Sequence, residues 1–102
     1  MSKLTSKQRA FLRSLAHKLK PVVHIGSDGV TDAVVRSVEE ALSARELLKA
    51  RVLDGAPEDP EATAALLAER LPGVLIPLTT GRTFVVYRPF PDDPEIQLPG
   101  AP

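Results

Sequence analysis

Apolar and polar positions follow two different periods along this chain, and the periods divide it into seven elements. Apolar residues recur every three or four positions in three segments, which predicts amphipathic helices over 5–19, 31–44 and 60–71. Short β-branched or alternating runs predict strands over 22–25, 47–52, 74–78 and 83–87. The predicted order is therefore α-β-α-β-α-β-β.

This order predicts an α/β (α+β) fold in a single compact domain. Each strand-helix-strand unit implies a right-handed crossover between parallel neighbouring strands, and the closing pair of strands reads as an antiparallel hairpin. We expect a four-stranded mixed sheet with helices packed against it. The domain should cover residues 1–89. Residues 90–102 form a tail rich in proline and acid, with little to bury, which we expect to be partly ordered at most.

The first predicted helix has an apolar face and a basic face. At 100° per residue its core positions fall on one side of the helix: Leu4, Phe11, Leu12, Leu15 and Leu19. Arg9, Arg13 and His17 follow each other at four-residue spacing on another side, with Lys20 close to the same line. Lys3, Lys7 and Lys18 flank this ridge. Because like charges at this spacing repel, the ridge favours an external anionic partner over a role in helix stability.

The charge distribution supports the same interpretation. The formal net charge is zero, but residues 1–51 carry ten Lys/Arg against five Asp/Glu, and residues 52–102 carry three against eight. Residues 1–20 contain six basic residues and no acidic one. Such asymmetry indicates a polyanionic partner for the basic half. A solvated basic face, balanced by the acidic half within the fold, is the alternative.

A Gly-x-x-Gly turn connects the first predicted strand to the second predicted helix. Gly26 and Gly29 allow positive φ angles and close approach of another backbone, and Ser27 and Asp28 lie between them. Amide groups at the start of the following helix favour an anion. KH modules clamp a nucleic-acid backbone with a loop of this type. Taken alone, two glycines favour a plain structural turn between strand and helix over a binding loop.

The chain lacks the residue patterns of the common enzyme and metal sites. It has no cysteine, and neither His17 nor His24 has an acidic residue at metal-ligand spacing. The glycine turn lacks the Gly-Lys-Ser/Thr ending of a nucleotide-binding loop. No apolar run reaches the ~20 residues of a membrane span. We therefore expect a cytoplasmic protein that is not an enzyme, uses no cofactor or metal and does not contact membranes.

Ordered motifs over residues 4–89 resemble the CRM domain (chloroplast RNA splicing and ribosome maturation), in particular its free-standing bacterial member. The resemblance begins with Leu4-Thr5-x-Lys7-Gln8-Arg9 and continues through Ile25-Gly26-x-x-Gly29-Val30-Thr31. Two later motifs complete it: Glu46-Leu47-Leu48-Lys49-Ala50-Arg51-Val52 and Gly81-Arg82-Thr83-x-Val85-x-Tyr87-Arg88-Pro89. The chain departs from the family at the two middle positions of the loop, where relatives often carry a basic or amide residue.

The resemblance implies RNA binding, association with precursors of the large ribosomal subunit and a fold like the C-terminal domain of translation initiation factor three. It also implies that the glycine loop and adjacent basic residues contact RNA. With the late arginines added, the candidate RNA-binding residues are Lys7, Arg9, Arg13, His17, Lys18, Lys20, Gly26, Ser27, Asp28, Gly29, Arg82 and Arg88. The scarcity of aromatic residues favours recognition of the RNA backbone and shape over stacking of splayed bases.

Three functional hypotheses follow from these observations. The first is a monomeric, non-enzymatic RNA-binding protein that assists ribosome assembly, with ribosomal proteins or assembly factors as further partners. The second is a protein-interaction module that docks an acidic surface on such a factor. The third is an RNA chaperone with little preference. The charge asymmetry also permits an acidic tail that folds back over the basic helix as an autoinhibitor.

Overall fold

The computed structural model describes residues 4–100, which form three helices and four strands in the predicted order. Lys3 and the last two residues of the predicted tail lie outside this range. Each helix begins after a residue whose side chain caps it: Thr5, Thr31 and Asp59. The elements are α1 (Ser6–Ala16), β1 (Val23–Ile25), α2 (Asp32–Ala44), β2 (Leu47–Val52), α3 (Pro60–Arg70), β3 (Leu75–Thr80) and β4 (Thr83–Tyr87).

The four strands form one mixed sheet in the order β1-β2-β4-β3. Strand β1 pairs in parallel with β2, while β4 pairs antiparallel with both β2 and β3. The fold class is confirmed, but the prediction that every crossover joins neighbouring strands is wrong for β2 and β3. Gly81 and Arg82 make a turn that keeps β3 beside β4. The four consecutive buried residues Phe84–Tyr87 suit β4 to the interior of the sheet, and Pro77 suits β3 to its edge.

Helices α2 and α3 cover one face of the sheet and enclose the larger core. The buried centre of this core combines residues from both helices with inward-facing residues of β1, β2 and β4: Val23, Ile25, Val38, Leu42, Leu48, Ala50, Val52, Ala64, Leu67, Leu71, Phe84 and Val86. Alternation along each strand places the remaining side chains on the opposite face. Helix α1 packs on that second face.

The second core, under α1, is smaller than the first. Leu12 and Ala16 of α1 are buried against Leu47, Val85 and Tyr87 of the sheet. The predicted core face of this helix is partly wrong, because 37% of Leu15 is exposed and Phe11 is only half-buried. The helix is also shorter than predicted: it ends at Ala16. A tight turn follows, in which the Leu19 amide donates to the Ala16 carbonyl at 2.9 Å.

Residues 88–100 contain no helix or strand, yet part of this tail lies against the second core. Ile96 and Leu98 pack half-buried beside the α1 cluster, and the Gln8 side-chain amide donates to the Pro99 carbonyl at 3.3 Å. Residues 91–95 are exposed, so the tail is covered mainly at these two side chains. The carboxylate of Glu46, at the start of β2, holds the tail in place. It is buried and accepts hydrogen bonds from three tail amides, those of Phe90, Glu95 and Ile96.

Candidate nucleic-acid interface

The basic residues of the N-terminal region lie on the surface of the second sheet face. The capping box of Thr5 and Gln8 fixes the start of α1, and burial of Leu12 and Ala16 fixes its rotation about its own axis. This rotation turns the basic side of α1 outward. The following six basic residues of this region are exposed: Lys7, Arg9, Arg13, His17, Lys18 and Lys20. Within residues 4–100 none of the six has an acidic partner within ion-pair distance.

The six residues belong to two local structures. Lys7, Arg9 and Arg13 project from α1, and His17 is its C-cap residue. Lys18 and Lys20 lie in the connection that leads into β1. The predicted ridge is therefore helical only as far as His17, the C-cap of α1. Lys18 and Lys20 reach the surface from the connection that follows the helix.

A groove runs between α1 and the sheet. On the helix side it is lined by Arg13 and His17, and on the sheet side by Lys49, Leu78 and Thr80. A second, shallower depression continues along α1 beside Arg9 and Arg13. The groove walls thus carry positive charge from two different elements.

The uncovered part of the sheet continues the groove and carries residues that were absent from the sequence-based site. His24, Arg51, Thr83 and Thr80 occupy adjacent register positions across β1, β2, β4 and β3. His24 and Arg51 are exposed, and Lys49 is half-buried one step closer to α1. In β2 these side chains alternate with Leu48, Ala50 and Val52, which point into the larger core, so Lys49 and Arg51 point to the opposite face.

The Gly-x-x-Gly loop lies at the end of β1 and packs against the loop that follows β2. Gly29 has φ +71° and is buried, and a Cβ placed on it would be 3.0 Å from Pro57. Gly26 has no positive φ, and a Cβ there would meet only Leu53, at 4.0 Å. The two glycines therefore differ. The positive φ at position 29 requires a glycine, whereas position 26 has space for a side chain or for another molecule.

The hydrogen bonds of the loop limit what it offers to an anion. The Gly29 amide donates to the Gly26 carbonyl at 3.0 Å, and the Val34 amide donates to the Thr31 side chain at 3.1 Å. These donors are occupied within the protein. Ser27 and Asp28 are exposed at the tip of the loop. The hydroxyl of Ser27 is thus the polar side chain of the loop that suits a phosphate, whereas the carboxylate of Asp28 repels one.

The two late arginines have structural partners. Arg82 donates from Nε to the Val52 carbonyl at 3.1 Å and from Nη2 to the Leu53 carbonyl at 2.7 Å, which secures the end of β2. Arg88 forms a two-point ion pair with Glu39 of α2, with an Nη1–Oε1 distance of 3.2 Å. This places Arg88 toward the α2 face of the sheet, away from α1.

The Arg88–Glu39 pair changes the acidity of both groups. Hydrogen bonding from Arg88 lowers the pKa of the Glu39 carboxyl, and the same bond raises the pKa of the guanidinium. On the α1 face, burial raises the pKa of the Tyr87 hydroxyl, with a smaller contribution from the negative charge of Glu46. None of the residues in the basic groove takes part in these interactions.

The described residues hold few features of other kinds of site. No phenylalanine or tyrosine within residues 4–100 is fully exposed, since Phe84 and Tyr87 are buried and Phe11 and Phe90 are half-buried. The same residues contain no cluster of three metal-ligating side chains. No helix in this range is long and apolar enough to span a bilayer. What the surface does offer is a continuous band of cations.

Comparison with known proteins gives consistent matches along the chain. Residues 4–88 match the family model described as the CRS1 / YhbY (CRM) domain. A Bacillus subtilis protein named "Probable RNA-binding protein YqeI" is 41% identical over 96 residues, which cover 94% of this chain and 99% of the relative. A Haemophilus influenzae protein named "RNA-binding protein" is 35% identical, with 97% of this chain and 98% of the relative covered.

A solved structure confirms the fold. The solution structure of a hypothetical protein from Staphylococcus aureus superposes with a TM-score of 0.78 at 34% sequence identity. The match covers 95% of this chain and 100% of the other. The two proteins therefore share a fold and about a third of their residues.

Proposed function

The chain belongs to the CRS1/YhbY (CRM) domain family, and from that membership we propose that it is an RNA-binding protein without catalytic activity that assists ribosome assembly. Its RNA would be a precursor of the large ribosomal subunit, and the protein would act as a monomer in the cytoplasm. The names of the relatives support RNA as the ligand. The observation that carries the proposal is the set of six exposed basic residues at α1 without acidic partners among residues 4–100.

Phosphate contacts from this basic surface would supply most of the affinity. Arg9 and Arg13 present guanidinium groups from a rigid helix, and a guanidinium binds phosphate through two parallel hydrogen bonds. Lys18 and Lys20 add point charges from the turn beyond the helix, with His17 between the two groups. When these side chains neutralise phosphates, the counterions condensed on the RNA are released, so the affinity falls steeply as the salt concentration rises.

The glycine loop would make a smaller, short-range contribution. Gly26 leaves space for a close approach of the RNA backbone, and Ser27 offers a hydroxyl next to it. Asp28 weakens the attraction at this point. Arg82 lies at the same end of the sheet, but its Nε is 3.8 Å from the Asp54 carboxylate, so this ion pair offsets part of the charge that it could offer to RNA. Arg88 is neutralised by Glu39, so we assign it to the stability of the domain.

Ultraviolet crosslinking in cells, followed by sequencing of the attached RNA, tests this proposal. We expect reads concentrated on one region of large-subunit ribosomal RNA and cosedimentation with precursor particles. Reads spread over all cellular RNA would instead indicate a chaperone with little preference. Cosedimentation without any RNA crosslink would indicate a module that docks a protein surface. Either result would overturn the assembly role through direct RNA contact.

A matched pair of variants links the crosslinks to the surface. Replacing Arg13 and Lys20 with glutamate should abolish crosslinking while leaving the circular dichroism spectrum unchanged, because both side chains are exposed. Replacing Arg36 and Arg45, two exposed arginines at α2, with glutamate changes the net charge equally and serves as the control. Loss of crosslinking in both variants would show that net charge, not the α1 surface, governs binding.

A further inference from the structure

We propose that the uncovered half of the sheet is an RNA-binding site in its own right, formed by His24, Lys49 and Arg51 between α1 and the glycine loop. The site would hold the sugar-phosphate backbone of an RNA strand that passes from α1 across the sheet to the loop. This inference rests on the proposed RNA-binding function and adds a surface that the helix and the loop alone do not include.

The partial cover provided by α1 creates the site. Along β2 the residues on the α1 face are Leu47, Lys49 and Arg51, and their exposure rises in that order from buried to exposed. Leu47 lies under the helix, in the second core. The strand then leads to Leu53, beside Gly26. A path along β2 therefore starts beneath α1 and ends at the glycine loop.

Along the strands the path carries no negative charge, and at its end it meets the carboxylate of Asp28 in the glycine loop. The four strands contain no aspartate or glutamate, and α1 contains none either. The basic side chains of the strands are His24, Lys49 and Arg51, none of which forms an ion pair within residues 4–100. A protein that used this face only for stability would gain by pairing these cations across the strands. Binding of a polyanion explains why these basic side chains lie side by side without acidic neighbours.

The shape of the surface favours an RNA backbone over a compact ligand. Lys49 and Arg51 are two residues apart, which separates their Cα atoms by about 6.8 Å along the strand. Register places His24 on the neighbouring strand directly beside Arg51, so the three basic side chains form a bent row across the sheet and do not enclose a pocket. The aromatic residue on this face, Tyr87, is buried under α1 and is not available to stack on bases. Contacts to phosphate and ribose remain.

The test compares two double variants that remove the same charge from opposite sides of the sheet. K49Q/R51Q removes two cations from the open face, and R36Q/R45Q removes two exposed arginines at α2. Both proteins are first compared with the wild type by circular dichroism and thermal unfolding. Binding to the crosslinked RNA segment is then measured over a range of salt concentrations.

We expect K49Q/R51Q to bind more weakly and with a flatter salt dependence. For single-stranded RNA the slope of log affinity against log salt should change by roughly 0.7 for each lost contact, or roughly 1.4 for two. R36Q/R45Q should retain the wild-type slope. If K49Q/R51Q also retains that slope while R13E/K20E loses binding, the RNA does not cross the sheet and the inference is wrong, although the proposed function stands. If the wild type binds no RNA, the proposed function itself fails.

Discussion

Replacing Glu46 with alanine tests how the tail is held on the domain. The carboxylate is 2% exposed and accepts the Phe90 amide at 2.7 Å on Oε2, and the Glu95 and Ile96 amides at 3.0 and 2.7 Å on Oε1. Hydrogen bonds to a charged group contribute ~1.5–3 kcal/mol each, but their sum overstates the loss, because the variant also avoids the desolvation of a buried carboxylate.

The tail can also leave the surface, which limits the loss further. Released amides regain hydrogen bonds with water, so the cost approaches the burial energy of the tail side chains. Ile96 and Leu98 are partly buried, and about half of the ~1.5–3 kcal/mol for full burial gives ~0.75–1.5 kcal/mol each. We therefore expect Glu46→Ala to lower the free energy of unfolding by about 1.5–3 kcal/mol.

Urea unfolding measures this change, and amide hydrogen exchange locates it. Protection should be lost at Phe90, Glu95 and Ile96 and reduced in α1, because the tail contacts Gln8 through Pro99. Glu46→Gln should have a smaller effect, since one amide oxygen can still accept the two bonds made to Oε1. Glu40→Ala, at an exposed position of α2, is the control and should change stability by less than about 0.5 kcal/mol. Wild-type stability and protection in Glu46→Ala would refute the account of the anchor.

Three further predictions follow from the described geometry. Gly29→Ala should lower the free energy of unfolding by about 1–2 kcal/mol in urea, because the φ of Gly29 is +71°. Gly26→Ala should leave the stability unchanged and weaken RNA binding. An equal loss of stability in both variants would contradict the different roles given to the two glycines. The pKa of Glu39 is lowered by Arg88, so their pair stabilises the fold above the ordinary value of 4.5 and is lost as pH falls through the folded value. The stability difference between wild type and Glu39→Gln should be about 0.5–1 kcal/mol at neutral pH and shrink below pH 4.5; a constant difference would exclude the pair as its source. Tyr87 is the single tyrosine of the chain, and burial raises its pKa, so the tyrosinate absorbance should titrate above 10.0 in the folded protein and return to the ordinary value in urea.

Local patterns were sufficient to predict the elements and the fold class. Apolar periodicity and alternating strands depend on neighbouring residues, and both were present in the sequence. The position of β4 between β2 and β3 was not predicted, because strand order is a property of the whole sheet. The four consecutive buried residues Phe84–Tyr87 were a signal for a central strand, since both of their faces had to be covered.

The basic helix was predictable as an exposed surface, but the sheet surface was not. To identify Lys49 and Arg51 as surface cations, one must know on which face of β2 helix α1 packs and where along the strand that helix stops covering it. Arg88 shows the reverse case, in which a cation inside a family motif is paired with Glu39 of α2. The role of Glu46 was hidden for the same reason, because its partners lie more than forty residues away.

The most direct test of RNA binding through phosphate contacts is an equilibrium salt titration of the wild-type protein on its crosslinked RNA segment. The account predicts that log affinity falls linearly with log salt, with a slope of roughly −0.7 for each phosphate contacted on a single strand. R13E/K20E should reduce both the affinity and the steepness. An affinity that does not change with salt, or that survives the double substitution, would contradict the account.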